Sequence, residues 1–270
     1  MLKISTNVWS HLSKASGDRH PVLEVLESEP RPVRTFPDLV REIAELSFHN
    51  PEQVLFFRGQ TKEYLKDARG GKKQSSFYPE IYRSPGRSLP DREVDERFKR
   101  LDQLANKLQA ALKAGSVPGY EKLSKFPELT WAVLQHYKVC PTPLLDLTHS
   151  LRVAASFALN GSATGGVVYA FGFPHPNGSI TYSVEHELLN IRLLSICPPE
   201  AQRPYFQEGF LVGSFPARRF RKYRSIDVGV RLIAKFKLPA TGFWNADFHA
   251  IPNQALYPLN DRMAEICDRL

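Results

Sequence analysis

LQHYKVCPTPLLDLTHSLRVAASFAL, residues 134–159, packs polar chemistry into an apolar frame. Leu134 to Tyr137 reads as the end of a helix, and Pro141 and Pro143 bound the turn after it, since proline fixes φ and removes a backbone donor. A short apolar strand, Leu144-Leu145, then delivers Asp146, Thr148 and His149 at its C-terminal end. Ser150 follows as an N-cap, and Val153, Ala154, Phe157 and Ala158 recur at helical spacing as the buried stripe of the next helix. Polar side chains between a strand end and a helix N-terminus suit an anion or a ribose, because orphan amides and the helix dipole point there. The same residues equally suit plain capping of the turn. His136, at the end of the preceding helix, either lines such a site or hydrogen-bonds a neighbouring carbonyl.

Upstream, Val54-Leu55-Phe56-Phe57-Arg58-Gly59-Gln60 is a run of apolar and aromatic residues with no helical gap, the pattern of a buried strand. It ends in arginine and glycine. A buried strand carries an arginine only where the charge is paired or reaches a cleft. Arg58 therefore reads as a guanidinium aimed at a ligand phosphate or carboxylate, a role its planar fork suits, or as half of a structural ion pair. Gly59 permits a positive φ or a close backbone approach next to it.

Together these stretches resemble the FRG domain family, named for a Phe-Arg-Gly motif that Phe57-Arg58-Gly59 matches. The family's central pattern is similar to Gln135-His136-Tyr137, Pro141-Thr142, Leu144 to Thr148 and the Ala154 to Ala158 helix. A later element resembles Arg203-Pro204-Tyr205-Phe206-Gln207-Glu208-Gly209-Phe210. The chain departs from the pattern with Leu147 where the family usually has tryptophan, a packing change. It also has Pro143 where arginine is frequent, which removes a cationic contact. The resemblance runs from about Thr35 to the C-terminus. It implies a domain over residues 35–270 preceded by an N-terminal elaboration over residues 1–34.

The motif order is also similar to that of ADP-ribosyltransferases: an arginine on a first strand, a strand with a hydroxyl feeding a helix, and a Gln-Glu element. What this implies is an α+β, ADP-ribosyltransferase-like fold that binds NAD and cleaves its nicotinamide–ribose bond. ADP-ribose would pass to a macromolecular acceptor, protein or nucleic acid, in a setting such as a bacterial toxin or an antiviral system. By that resemblance Arg58 and Gly59 hold the cofactor, His136, Asp146, Thr148 and His149 shape its pocket, and Gln207 or Glu208 acts on the ribose. The other reading is a non-catalytic nucleotide- or nucleic-acid-binding module that keeps the Arg58 pocket.

The chemistry asks for a carboxylate. Breaking the bond between ribose and nicotinamide develops positive charge on the sugar, which a nearby carboxylate stabilises. Glu208 is the natural residue, with Gln207 beside it. Tyr205 to Val212 has strand character, so alternation would send Gln207 and Glu208 to opposite faces, without deciding which face is the site. Gly209 would leave room for a ligand.

Composition frames these readings. With 270 residues, 42% apolar and 24% charged, the chain is long enough and apolar enough for a sizeable core. Three widely spaced cysteines, Cys140, Cys197 and Cys267, give neither a disulfide framework nor a zinc knuckle, and fit a reducing cytoplasm. The start, Met1-Leu2-Lys3-Ile4, lacks the apolar core of a signal peptide, and no run is long enough to span a membrane. The net charge is +8 and clustered, at Arg218, Arg219, Arg221, Lys222 and Arg224, and at Lys66, Arg69, Lys72 and Lys73 around Gly70-Gly71. Such clusters suit nucleic-acid phosphates, a phosphate-bearing cofactor, or a solvated face. The Asp67 to Ser76 segment reads as a mobile loop over the Arg58 strand end.

Along the rest of the chain, amphipathic spacing predicts helices over Phe36–Leu46, Asp91–Ala114 and Glu128–Tyr137, and a closing helix from near Leu259. Strands are expected at Gly166–Phe171, Gly209–Phe215 and Val230–Phe236. The expected class is α+β, with helices early and a strand-rich core later. Gly161 to Gly166 lacks a P-loop lysine and reads as a turn. Glu185-His186-Glu187 lacks zinc-site spacing and reads as a solvated helix start, so no metal is expected.

Overall fold

The computed structural model describes residues 7–84, 89–198, 200–217 and 227–270. The chain divides into two compact units of interleaved sequence: Met1–Phe77, Leu147–Pro176 and Val228–Ala255 form one, and Tyr78–Asp146, Asn177–Asp227 and Leu256–Leu270 the other. Each mixes helix and strand, so the α+β class holds.

The first unit is built on a mixed sheet. Its central strand, Gly166–Phe173, is buried along its whole length, as a Val/Phe/Tyr/Gly run covered on both faces must be. Val54–Gln60 pairs antiparallel on one side of it and Leu232–Leu238 antiparallel on the other, while the short strand Arg31–Pro32 adds parallel to Leu232–Leu238. Thr148 pairs with Phe57 beyond. The expectation of helices first and strands later is therefore corrected. This sheet draws on residues from 31 to 238, because antiparallel neighbours need spatial adjacency and not sequence order.

The helix Leu151–Leu159 lies on one face, with Val153, Ala154, Ala155 and Ala158 buried, and Ser150 Oγ accepts from the Val153 amide at 3.4 Å as its N-cap. Phe36–His49 begins with a capping box, Thr35 Oγ1 and the Asp38 carboxylate each accepting the other's amide at 3.2 Å. Phe36 packs its ring among Phe243, Trp244 and Phe248. The buried Asn50, just past that helix, ties down the N-terminal segment. It accepts from the Trp9 amide at 3.1 Å and donates to the Trp9 carbonyl at 2.9 Å.

In the second unit the helix Asp91–Ala114 has the bounds that its periodicity predicts, with Val94, Phe98, Leu101, Ala105, Leu108 and Leu112 as its buried stripe. Phe98 sits between Tyr82 and Trp131 at ring distances of 6.1 and 6.3 Å. Each such ring contributes roughly 1.5–3 kcal/mol by leaving water. Pro127–His136 packs in the same core, and Ile180–Ser183, Leu188–Arg192 and Gly209–Ser214 form an antiparallel sheet. Residues 184–187, read as a helix start, instead form the turn between two of these strands, with Glu187 at φ 48°. The closing helix is shorter than expected, Arg262–Cys267, and starts where Asp261 caps it. No helix among the described residues is long and apolar enough to cross a membrane.

Candidate functional site

Strand register decides what stands beside Arg58. Arg58 pairs with Tyr169 on one side of the central strand, and Tyr169 pairs with Lys235 on the other. Directly opposed residues share a face, so Lys235, Tyr169 and Arg58 form one row across three strands of the first unit. Lys235 is 1% exposed and fully engaged: its Nζ donates to Glu63 Oε1 at 2.8 Å, to Ser75 Oγ at 2.9 Å and to the Leu26 carbonyl at 3.2 Å. The Tyr169 hydroxyl is enclosed yet has no hydrogen-bond partner among the described residues. Burial pushes its pKa up, the Glu63 carboxylate adds to the rise and the Arg58 guanidinium opposes it, so it is a neutral donor. Arg58 itself is half-buried.

The second unit gathers its polar residues into a network. Gln135 donates to Asp146 Oδ2 at 2.8 Å and accepts from the Thr142 hydroxyl at 2.6 Å, and that hydroxyl accepts from the Leu144 amide at 3.2 Å. His136 Nδ1 faces Asp146 Oδ1 at 3.4 Å. The histidine is the buried member, with 3% of its side chain exposed against 38% for the aspartate. Arg203 donates to the His136 carbonyl at 3.3 Å, and its guanidinium lies over the Tyr137 and Tyr257 rings at 4.7 and 5.2 Å. The Asp261 carboxylate accepts from the Tyr137 hydroxyl at 2.8 Å and from the Arg203 amide at 2.8 Å, besides two amides of the helix it caps.

Residues 53–165 match the FRG domain family. No curated protein and no solved structure matches the chain.

Within the matched segment the Phe-Arg-Gly motif divides its labour. Phe57 is core, Arg58 is half-buried, and Gly59 makes room for a helix. A Cβ on Gly59 would stand 1.8 Å from the Ala154 carbonyl oxygen and 2.7 Å from the Ala158 nitrogen. The close approach that Gly59 permits is thus to helix backbone. Thr148 is buried, and its hydroxyl accepts from the Ser150 amide at 3.0 Å, which is the capping geometry of the turn. His149 is exposed and its ring lies 4.1 Å from that of Phe56.

The Gln-Glu element departs from its expected form. Arg203–Phe206 is one helical turn, and the strand starts only at Gly209, so alternation along a strand does not sort Gln207 from Glu208. Gln207 is buried and donates to the Leu256 carbonyl at 2.7 Å. Glu208 is exposed at φ 45°, a left-handed conformation. The room beside Gly209 is already taken, since a Cβ there would meet Leu193 Cδ1 at 3.0 Å and His136 Cε1 at 3.2 Å.

The basic segments also resolve differently from expectation. Asp67 to Ser76 is a hairpin, with Leu65–Asp67 paired to Lys73–Ser75 and Gly70 and Gly71 at positive φ. Lys72 pairs with Glu27 at 2.7 Å and Lys73 with Asp67 at 2.5 Å, so much of this cluster's charge is neutralised locally. A cavity of about 300 Å³ beside them is lined by Glu27, Glu29 and Glu63 as well as by both lysines. The Arg218 to Arg224 cluster lies outside the described residues. No group of metal-ligating side chains occurs among the described residues.

Sequence reading missed Tyr169, Glu63, Ser75 and Lys235. One signal was present: Lys235 interrupts the otherwise apolar Leu232 to Phe236, and a charge in a buried strand demands a partner. Which carboxylate answers it, 172 residues away, was not readable.

Proposed function

We propose that this FRG domain binds NAD through Arg58 and is an ADP-ribosyltransferase-like enzyme, in fold and in activity. It would cleave the nicotinamide–ribose bond and pass ADP-ribose to a protein or nucleic-acid acceptor. The observation that carries the reading is the pairing of a half-buried guanidinium on a fully registered strand with an enclosed phenol hydroxyl that lacks a partner. Both are donors, and the strand holds Arg58 in place before any ligand arrives. A pyrophosphate is the cofactor group such donors suit. Strand pairing supports the precision of the site, since side chains on rigid elements are positioned better than those on loops.

Of Gln207 and Glu208 we assign Glu208 as the group that would meet charge on the ribose. Gln207 spends its amide on the Leu256 carbonyl, whereas Glu208 is exposed and carries the carboxylate the chemistry asks for. Asp146, more than a third exposed and held by Gln135, supports a role in shaping the pocket, with His136 behind it as its positioning residue. Thr148 serves the turn, and His149 is exposed beside it with its ring against Phe56.

The test is incubation of the purified chain with NAD, following free nicotinamide with and without added protein or nucleic acid, beside calorimetry of NAD binding. Arg58→Lys should weaken NAD binding at least tenfold with an unchanged melting temperature, because an ammonium does not reproduce the fork. Tyr169→Phe should weaken it too and leave stability intact, since its hydroxyl has no protein partner to lose. Unchanged affinity in both variants would sink the assignment. A second reading, a nucleotide-binding module without turnover, draws on the closure of the Gln135, Thr142 and Asp146 hydrogen bonds upon one another. Arg58-dependent NAD binding with no nicotinamide release under any condition selects it.

A further inference from the structure

A cavity of about 400 Å³ in the second unit is lined by Glu80, Arg83, Arg97, Arg100, Cys140 and Pro141. Three arginines and one glutamate line it, and the arginines are held to different degrees. Arg97 is fixed: its Nη1 donates to the Ile81 carbonyl at 3.0 Å and the Arg83 carbonyl at 2.7 Å, while Nη2 meets Glu93 at 2.9 Å. Arg83 is anchored by its Nε, which donates to the Tyr78 carbonyl at 2.6 Å, and its terminal nitrogens make no hydrogen bond or ion pair among the described residues. Arg100 stands one helical turn beyond Arg97, is exposed, and makes no hydrogen bond or ion pair among the described residues. With Glu93 neutralising Arg97 and Glu80 offsetting one further charge, a net positive charge remains at the wall.

Like charges held around one concavity repel unless an anion joins them. The cavity's volume falls in the range of small-ligand sites. The Cys140 thiol adds no competing negative charge, because burial pushes its pKa up to about 11. Here the chain spends two backbone carbonyls and a carboxylate on holding one guanidinium still.

We propose that this cavity is an anion site for phosphate or a phosphate monoester, with Arg83 and Arg100 as the binding residues and Arg97 as the residue that positions the wall. The site is separate from the NAD reading and stands or falls without it. Terminal guanidinium nitrogens of Arg83 and Arg100 would share the phosphate oxygens in charge-assisted hydrogen bonds, the strong class of such contacts.

The experiment is titration of the full chain with inorganic phosphate and, separately, with AMP, at constant ionic strength, read by calorimetry. The variants are Arg100→Glu, Arg83→Gln and Arg58→Lys. Both substitutions in the cavity are on exposed side chains, so the fold should persist, which a melting curve checks. Saturable phosphate binding that weakens at least tenfold in Arg100→Glu and in Arg83→Gln, and is unchanged in Arg58→Lys, is the result expected. AMP binding tighter than inorganic phosphate with the same arginine dependence identifies a monoester as the ligand, and equal affinities identify free phosphate. Absence of saturable binding in the wild-type chain, or binding that ignores both cavity substitutions, overturns the proposal.

Discussion

Set side by side, the Arg58 face of the first unit and the His136 network of the second hold their polar groups by different means. In the first unit a sheet does the holding. Register lines up Lys235, Tyr169 and Arg58, the Lys235 end is sealed by Glu63 and Ser75, and the Arg58 end is half-buried. In the second unit side chains hold one another, with Gln135, Thr142, Asp146, Arg203, Tyr137 and Asp261 linked by hydrogen bonds and ring contacts. The difference teaches that a family motif mixes two kinds of residue. Some are placed by the pairing of strands, and others are held by hydrogen bonds to their neighbours.

The sharpest way to break that contrast is at the sealed end of the sheet row. Glu63→Ala leaves the Lys235 ammonium buried with only a hydroxyl and a carbonyl, and should cost about 3–5 kcal/mol in urea denaturation. Adding Lys235→Met should recover most of the loss, because the unpaired charge is then gone. A small loss in the single variant would mean that water reaches Lys235, and the row would not be sealed. Gly59→Ala comes next. A methyl 1.8 Å from a helix carbonyl forces helix and strand apart, at about 3 kcal/mol, the upper end of ordinary overpacking. Retained stability would show that Gly59 is there for a ligand and not for the helix.

In the second unit Asp261→Ala removes the cap of the closing helix and strands the Tyr137 hydroxyl. The expected cost is about 2–3 kcal/mol, the sum of a lost cap and an unsatisfied buried donor. If a side-chain network really holds this unit, Gln135→Ala in the same background should cost less than it does alone, since neighbours in one network are not additive. Strict additivity would reduce the network to separate contacts.

Acid sharpens the first unit again. Burial holds His11 at a pKa of about 4 against an ordinary 6.5, opposed by its bond to the Glu29 carbonyl and reinforced by Lys235 and Arg31. The folded state thus binds its proton less readily than the unfolded chain. His11 stability is fully present above pH 6.5 and is lost as pH falls toward 4, with about 2 kcal/mol gone by pH 5. His11→Gln should flatten that part of the stability–pH curve. An unchanged slope would assign the acid sensitivity elsewhere.

Much of the fold was legible because its signals are local. Asp91–Ala114 shows a clean apolar stripe, Val54–Gln60 an unbroken apolar run, and Ser150 a cap at the right offset. The failures share a cause as well. Tyr205 to Val212 read as a strand on the β-preference of its aromatics, while Pro204, which favours the first turn of a helix, carried the better signal. The Gly70-Gly71 pair marked a loop correctly but hid the hairpin on either side of it. Of the site, Arg58 was legible from its strand. The Tyr169 and Lys235 row was not, since register across three strands is a tertiary fact, and so were the partners of Asp146.

The smallest expected effect returns to the two glycine-type positions of the motif. In the first unit glycine stands where a side chain does not fit. In the second, Glu208 stands at φ 45°, where glycine would fit most easily. Holding a non-glycine residue in the left-handed region costs on the order of 1 kcal/mol, and such strain persists where the side chain is needed. Glu208→Gly should therefore stabilise the chain by about 0.5–1 kcal/mol, the relieved strain less the entropy glycine brings to the unfolded state. Glu208→Gln keeps the strain and should leave stability unchanged. If the carboxylate meets charge on the ribose, both variants lose turnover on the order of a hundredfold while NAD affinity stays near wild type. A stabilised Glu208→Gly variant with full nicotinamide release would make Glu208 a turn residue alone, and the Gln-Glu element would join the residues that place others.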